Sequence, residues 1–560
     1  MRVLLTTINA KFIHTSLALR LLYVATKERF DVSFSEYTLK EDVDNIADNI
    51  LSAGYDVIGL GVYIWNVKQI RELVNMLKER QPALTIILGG PEVTYEPEFF
   101  LNQWPVDYVI SGEGEFVLGE LLDVIQRKHI IDIEGVSSRT NISKTVVRAN
   151  VDFISLLPSP YQLSEDREQM KNKVVYVETS RGCPYTCSYC LASLEKGVRY
   201  FPHTYLFENL EYLIKNGARQ IKFLDRTFNL NQAHTKAIFD FLIRCYRPNL
   251  SCQFEIYADL LRDEMIDYLN ATLPPHYFRF EIGIQTTCEA ANQAVGRKQD
   301  FRLIAGNIRK LMDGGKVDLH LDLIAGLPHE SFERFIRSFN DVFALRAKEV
   351  QLGFLKMLRG TELRQNATLY EYMYDPDAPY EVHSHVDMTE AALQRIRRVE
   401  HTLDTYWNSG RFTRTMQHIF DFCYMERYFE FFDGLATHIY ENQEPKKCFQ
   451  LEDTFRQLDD FLQSNGFDLS PTLRTDYYHC FSQRPPGFRP NPLDKKTRKR
   501  LLYEIGSDKT FLARHHLTRR MVEKRTVIDP ISANLFLLTI FPEDNQGIIT
   551  LEYKIEKPSM

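Results

Sequence analysis

Thr179-Ser180-Arg181-Gly182-Cys183-Pro184-Tyr185-Thr186-Cys187-Ser188-Tyr189-Cys190 decides how the rest of the chain is read. Cys183, Cys187 and Cys190 fall at C-x3-C-x2-C, and the run Val174–Glu178 just ahead of them has the apolar, β-branched character of a strand. The loop therefore follows a strand's C-terminal end, where open and closed α/β sheets place their ligands. Thiolate is the soft ligand of iron–sulfur clusters, so three on one short loop can hold three irons of a [4Fe-4S] cube and leave the fourth iron open. Gly182 and Pro184 bracket Cys183 and favour a tight turn. The other readings are weaker. A disulfide framework does not suit a long chain without secretory features. A structural zinc wants four ligands, and no second Cys/His pair lies close by. Three of nine cysteines within eight positions of a 560-residue chain would be a rare accident.

Composition bounds the rest. The chain is 44% hydrophobic and 26% charged, which suits a globular protein of several domains. With a formal net charge of −7, nothing global argues for nucleic acid. No apolar run reaches the roughly 18 residues that span a bilayer, so no membrane role is expected. Met1–Thr7 reads as a first strand, not as a signal peptide. A cytoplasmic location follows, and a reducing compartment suits free thiols.

Residues 1 to about 130 alternate strands and helices. Strands are expected at Val3–Thr7, Val32–Tyr37, Val57–Val62, Thr85–Leu88 and Tyr108–Ser111, with helical patterns at Ser16–Lys27, Val43–Ala53, Lys68–Arg80, after Pro91, and from Glu115. Five such units indicate a doubly wound parallel sheet, Rossmann-like and flavodoxin-like. Glycines gather where strands end: Gly59 and Gly61, Gly89 and Gly90, Gly112 and Gly114. There they let backbone approach a ligand, or simply make tight βα turns.

Residues 131–172 read as a connector, with Leu156–Tyr161 turn-rich and Glu165–Lys173 charged. Six further strands follow at Val174–Glu178, Gln220–Leu224, Ser251–Ile256, Phe278–Ile284, Val317–Ile324 and Val350–Leu355, with helical patterns between them. Asp225, Glu255, Gln285 and Asp322 stand at or near the ends of successive strands. From about 370 onward no motif is assigned. Ala391–Arg411 is helical, and Phe420–Phe432 is an aromatic stripe of the kind that usually packs a core. Lys495–Arg500 and His515–Arg520 are basic; they read as solvated helical faces, with an anionic substrate as the sharper alternative.

C-x3-C-x-aromatic-C, with Tyr189 as the aromatic, resembles the signature of the radical S-adenosylmethionine (SAM) superfamily. That resemblance implies a [4Fe-4S] cluster on Cys183, Cys187 and Cys190. Its open iron would be chelated by SAM, and reductive cleavage would release a 5′-deoxyadenosyl radical. It also implies SAM contacts from Tyr189, Asp225, Glu255, Gln285, Asp322 and Gly326, the last in Ala325-Gly326-Leu327-Pro328. The first domain resembles the cobalamin-binding domain that precedes many radical SAM domains. The matching pieces are Gly59–Val62, Ile87–Glu92 and Tyr108–Glu115. Cobalamin contacts are then implied for Gly61, Gly89, Gly90, Glu92, Gly112, Glu113 and Gly114. Other cobalamin domains carry D-x-H-x-x-G after the first strand, and Asn9–His14 does not fit it. Cobalamin without a protein histidine under the cobalt is therefore implied. His14 itself reads as a solvated or capping residue, with an approach to the cofactor as the alternative.

The fold expected from both resemblances is α/β. A Rossmann-like cobalamin domain (1–130) and the connector lead to a partial (β/α)6 TIM-like radical SAM barrel (173–368), then to a mainly helical domain (369–560) that shapes substrate access. The implied function is a cobalamin-dependent radical SAM enzyme, most readily a methyltransferase to an unactivated carbon or phosphorus centre. A cobalamin-assisted rearrangement or cyclisation is the alternative. The substrate, small molecule or peptide, is not legible, and an external electron donor such as flavodoxin or ferredoxin is implied. A methylthiotransferase would need cysteines for a second cluster, and none precedes Cys183. A cobalamin-sensing binding protein would not need the cysteine triad. Cys245, Cys252, Cys288, Cys423, Cys448 and Cys480 have no part in the implied cluster.

Overall fold

A computed structural model describes residues 1–129, 132–442, 450–481, 493–530, 534–542 and 548–554. Met1–Ala347 with Leu352–Leu393 form one compact unit, and Lys348–Gln351 with Gln394–Met560 a second.

The first unit opens with β1 (Arg2–Asn9), α1 (Leu17–Thr26), β2 (Asp31–Thr38), α2 (Val43–Ser52), β3 (Val57–Gly61), α3 (Val67–Arg80), β4 (Thr85–Gly89), α4 (Pro97–Gln103), β5 (Tyr108–Ile110), α5 (Val117–Arg127) and β6 (Val136–Ser137). The strands lie in the order β2-β1-β3-β4-β5-β6, parallel except for the antiparallel β6. β1 is buried over seven of its eight residues, as a strand covered by helices on both faces must be. Ser16 caps α1 by accepting from the Leu19 N–H, and Asp42 does the same for α2 at Asn45. The chain leaves β1 for β2 on one side and returns to β3 on the other. The loops after β1 and β3 therefore flank the switch point at the sheet's carboxyl edge, the position where such sheets take ligands.

A short helix, α6 (Val151–Ile154), lies in the connector, and Asp166 ties that connector back through Arg20 on α1 at 2.6 Å. Next come β7 (Val174–Val177) and a two-stranded antiparallel ribbon of β8 (Ser180–Arg181) and β9 (Arg199–Tyr200). The barrel then runs α7 (His203–Lys215), β10 (Gln220–Phe223), α8 (Gln232–Arg244), β11 (Ser251–Ile256), α9 (Asp263–Thr272), β12 (Phe278–Gln285), α10 (Glu289–Ala294), α11 (Phe301–Gly314), β13 (Asp318–Ala325), α12 (Phe332–Phe343) and β14 (Glu349–Phe354). Strand order follows the chain, β7-β10-β11-β12-β13-β14, as in a partial barrel. β12 shows how the barrel is built: Phe278, Phe280, Ile282 and Ile284 are buried, while Arg279, Glu281, Gly283 and Gln285 alternate with them and are half-buried. Phe223, Phe254, Phe239 and Phe278 pack centroid to centroid at 4.6–5.2 Å between the strands and α8.

The second unit is mainly helical. Phe420, Phe429, Phe431 and Phe432 of the aromatic stripe are buried core, whereas Phe422 is exposed. A three-stranded antiparallel sheet near the end of the chain (Thr526–Pro530, Leu535–Ile540, Ile549–Lys554) was not legible beforehand. It packs on Leu501, Ile505 and Val522 of the preceding helices, so its strands are specified by a local core, not by a long alternation. Among the described residues no helix is long and apolar enough to cross a membrane.

Gly112 sits at φ +100°, and a Cβ there would lie 2.2 Å from the Val147 carbonyl oxygen. Gly306, inside α11, has open space around it. Gly112→Ala should therefore lose about 1–3 kcal/mol of stability in urea unfolding. Gly306→Ala should gain up to about 1 kcal/mol. Equal effects of the two would show that the backbone at Gly112 is not constrained.

Candidate functional site

The cysteine loop is held by backbone on all sides. β8 and β9 bracket it, and Arg181 pairs directly with Arg199. The Cys183 N–H donates to the Glu195 carbonyl at 3.3 Å and the Cys190 N–H to the Cys187 carbonyl at 3.0 Å. The Ser188 N–H donates to the Val295 carbonyl, and the Ser188 carbonyl accepts from the Leu363 N–H, each at 2.9 Å. Gly182 is at φ +91°, and a Cβ there would come within 2.0 Å of the Gly197 carbonyl. Only glycine allows the two arms of the loop to approach this closely.

The three thiols line a cavity of ≈ 290 Å³ at the strands' carboxyl edge, together with Tyr189, Glu255, Gln285 and Asp322. Arg226, Tyr257 and Arg297 complete its polar wall. Burial raises the Cys183 and Cys187 thiols, with Arg297 working against it at Cys187. Burial also raises Glu255; Arg226 and Lys222 oppose that shift, and Glu281 and Asp322 add to it. Glu255 has no hydrogen bond or ion pair among the described residues. Asp322 accepts from His320 Nε2 at 2.9 Å. Gln285 is a non-glycine residue at φ +67°, at the bulge where β12 slips against β13, and its buried Oε1 has no partner. Gln285 thus combines backbone strain with a buried, unpartnered amide oxygen at the cavity wall.

Several expected residues stand elsewhere. Asp225 is 1% exposed and lies behind the cavity wall. Its carboxylate accepts from the Thr179 N–H (3.0 Å), the Thr179 hydroxyl (2.6 Å) and the Ser180 hydroxyl (2.6 Å), so it anchors the entry to the cysteine loop. His234, pushed down to about 4 by burial and by His203, bonds Thr179 Oγ1 from the other side at 3.2 Å. Gly326, at φ +95°, packs against Leu355 and Val382 and accepts the Tyr372 hydroxyl at its carbonyl.

In the first domain, a side chain on Gly89 would meet nothing within 4 Å, and Gly61 pairs with it across β3 and β4. The end of β4 thus leaves room for a ligand, whereas a Cβ on Gly61 would meet Thr7 and Tyr63 at 3.3–3.4 Å. Gly114 packs against Leu22. Gly90 and Gly112 are instead filled by their own neighbours, the Val62 and Val147 backbones. Glu92 is 4% exposed and binds the Tyr380 hydroxyl and, at 3.4 Å, Arg359. Glu113 pairs with Arg181 at 3.1 Å and with Arg199. Both carboxylates are spent on the barrel. His14 is half-buried and meets the Tyr176 hydroxyl at 2.7 Å, while Ser16 caps the helix that follows.

Arg297 escaped the sequence reading. Its Nη1 lies 4.0 Å from Cys187 Sγ, its Nη2 donates to the Gly283 carbonyl, and its guanidinium stacks on Tyr257 at 4.6 Å. It sits in an irregular turn whose position only the fold fixes.

The residues fit an iron–sulfur cube. Among the described residues no three His, Cys, Asp or Glu side chains converge on one point for a single ion. A cube does not ask for that, because each thiolate binds its own iron. None of Cys245, Cys252, Cys288, Cys423 and Cys480 lines the cavity; Cys448 lies outside the described residues.

Comparison with known proteins matches residues 3–122 to the B12 binding domain family and residues 177–342 to the Radical SAM superfamily. Residues 368–548 match a family described as "Protein of unknown function (DUF4080)". The chain is 30% identical over 246 residues to "Uncharacterized methyltransferase PH0819" of Pyrococcus horikoshii, covering 41% of this chain and 53% of the relative. It is 27% identical over 323 residues to "Cobalamin-dependent radical SAM methyltransferase TokK" of Streptomyces tokunonensis, covering 53% and 45%. It thus spans about half the length of these curated relatives. The solved structure of the cobalamin-dependent S-adenosylmethionine radical enzyme OxsB, with aqua-cobalamin and SAM bound, superposes with a TM-score of 0.60 at 16% identity, over 83% of this chain and 76% of that one. The chain therefore joins an N-terminal B12-binding domain to a radical SAM domain, whose cofactors are cobalamin, a [4Fe-4S] cluster and SAM.

Replacing Cys183, Cys187 and Cys190 together with alanine should abolish the cluster after anaerobic reconstitution, while Cys252→Ala and Cys288→Ala should retain it. Iron and sulfide analysis reads this directly; four irons per chain in the triple variant would refute the ligand set.

Proposed function

We propose that this chain is a cobalamin-dependent radical SAM methyltransferase acting on an unactivated carbon or phosphorus centre. The observation that carries the proposal is the single cavity lined by three thiols and by Glu255, Gln285 and Asp322, in one compact unit with a B12-binding domain. When bound, SAM on the cluster supplies a hydrogen-abstracting radical and cobalamin carries the methyl group. Cys183, Cys187 and Cys190 hold the cluster and leave one iron free. Glu255 and Asp322 are placed to accept from ribose hydroxyls or an ammonium group, and Gln285 offers its orphaned amide oxygen to the same end. The Arg297 guanidinium, beside Cys187, is the cation that a carboxylate would meet. Tyr189 and Tyr257 shield the cavity from water. Asp225 holds Thr179 and Ser180 in place, and Tyr372 does so for Gly326, so both act from behind the wall. In the first domain Gly89, which has open space around it, would let backbone approach the corrin, and no histidine of this chain is assigned to the cobalt.

We read residues 1–130 as the cobalamin domain, 131–172 as connector, 173–368 as the radical SAM domain and 369–560 as the part that shapes substrate access. The reductant is an external flavodoxin or ferredoxin and the setting cytoplasmic. Membrane and nucleic acid have no part in this reading.

With SAM carrying a deuterated methyl group, the label should appear in product, and S-adenosylhomocysteine and 5′-deoxyadenosine should form in comparable amounts. Unlabelled product made with 5′-deoxyadenosine alone would move the reading to rearrangement or cyclisation. The cob(II)alamin form should lack nitrogen splitting from a protein ligand, and its paramagnetic resonance spectrum should be the same in His14→Ala. Splitting that disappears in that variant would place His14 on the cobalt instead.

A further inference from the structure

Arg181 and Arg199 are opposite each other on the ribbon that brackets the cysteine loop, one residue before Gly182 and two after Gly197. Both reach the same side chain, Glu113, on the loop after β5 of the B12-binding domain. Arg181 also takes Glu115 at 2.7 Å and Glu178 at 2.9 Å, and its side chain is 9% exposed. Glu113 further accepts the Ala149 N–H at 2.8 Å. Burial of Glu113 is outweighed by its two arginines, which hold its carboxyl below the usual range. A buried ionic cluster of this kind is a weak source of stability, since well-packed apolar groups serve as well. What it supplies is registration: planar guanidinium groups accept carboxylates in few geometries. The registration reaches the cysteine loop through the ribbon: Arg181 and Arg199 are paired across it, and Gly182 packs so closely on Gly197 that a Cβ there would lie 2.0 Å from the Gly197 carbonyl oxygen. A second junction ties Glu92 of the B12-binding domain to Arg359 and Tyr380 without touching the loop.

We infer that Glu113 is a positioning residue: through Arg181 and Arg199 it sets the separation between the cluster loop and the B12-binding domain, and so between the two reaction centres. The inference rests on the two-cofactor reading above, and it gives the Gly112–Glu115 loop a role other than cofactor contact. Transfer of a group between centres depends on near-attack geometry, where a misplacement of ~1 Å costs on the order of a hundredfold. Glu113 is therefore a residue whose loss uncouples SAM cleavage from methyl transfer.

The test uses holoenzyme carrying cluster and cobalamin, frozen with the cluster reduced and cobalt as cob(II)alamin. Pulsed dipolar resonance then reads the distance distribution between the two spins in wild type, Glu113→Gln, Glu113→Asp, Arg199→Gln and the double variant Glu113→Gln/Arg199→Gln. Glu120→Gln, on the exposed face of α5, is the control. Glu113→Gln should keep both cofactors, with a shifted or broadened distribution. Arg199→Gln should show the same change, the double variant no more than either single one, and Glu113→Asp an intermediate one. An unchanged distribution in a fully loaded Glu113→Gln would overturn the inference, as would selective loss of cobalamin, which would make Glu113 a cofactor contact. If Glu113→Gln does not fold, Arg199→Gln decides, because Arg181 keeps Glu115 and Glu178. Because the distance is read without turnover, failure of the methyl-transfer reading leaves it standing. Once the substrate is in hand, methylated product per SAM cleaved should fall at least about tenfold in Glu113→Gln.

Discussion

Arg181 places a guanidinium that is only 9% exposed among the carboxylates of Glu113, Glu115 and Glu178. Removing a cation and three anions from water is costly, and the cost is offset only when each is hydrogen-bonded in good geometry. Its Nε and both Nη atoms are engaged, and Arg199 brings a second positive charge to Glu113. One oxygen of Glu115 is left without a partner, and burial raises the Glu178 carboxyl against the pull of Arg181. The cysteine loop hangs from this point. Its first residue follows Arg181 directly, and its far arm returns through Arg199.

The same economy appears around the barrel. Inward positions that would be apolar in an ordinary closed barrel are here Lys222, Gln253, Arg279, Glu281 and His320, each with a polar partner on another strand. Lys222 and Gln253 both bond Glu281, while Arg279 reaches His320, which reaches Asp322. Polar pairing deep in the lumen leaves Glu255 and Gln285 at the rim with unspent capacity. A site prepared for a polar ligand needs that contrast, because a group already satisfied by protein has little to gain from binding. Asp225 illustrates the opposite case. Three donors saturate it, and its effect on the cavity runs through Thr179 and Ser180.

The N-terminal sheet and the barrel were legible because their periodicities are local and strong. The strands are short apolar or alternating runs, and observed boundaries such as Ser251–Ile256 and Val57–Gly61 fall within a residue or two of those expected. The late three-stranded sheet was not legible, since its strands read as short apolar patches whose partner is the core of Leu501, Ile505 and Val522. Within the site, Cys183, Cys187, Tyr189 and Cys190 share one loop, so their spacing carries the chemistry. Glu255, Gln285 and Asp322 were reachable from their places at strand ends. Arg297 was not, because a turn residue 110 positions from Cys187 carries no periodic signal.

By itself the sequence determined the elements of the N-terminal sheet and the barrel, their α/β order and the thiol triad, because hydrogen-bonded periodicity and covalent spacing are written within a few residues. Only the tertiary structure decided what the strand-end acids do. Glu92 and Glu113 share a glycine-rich context with ligand-binding loops. Their partners Tyr380, Arg181 and Arg199 lie 288, 68 and 86 residues away. Whether a carboxylate serves a ligand or a distant arginine is settled by which charges the folded chain brings within hydrogen-bonding reach, and no local pattern encodes that.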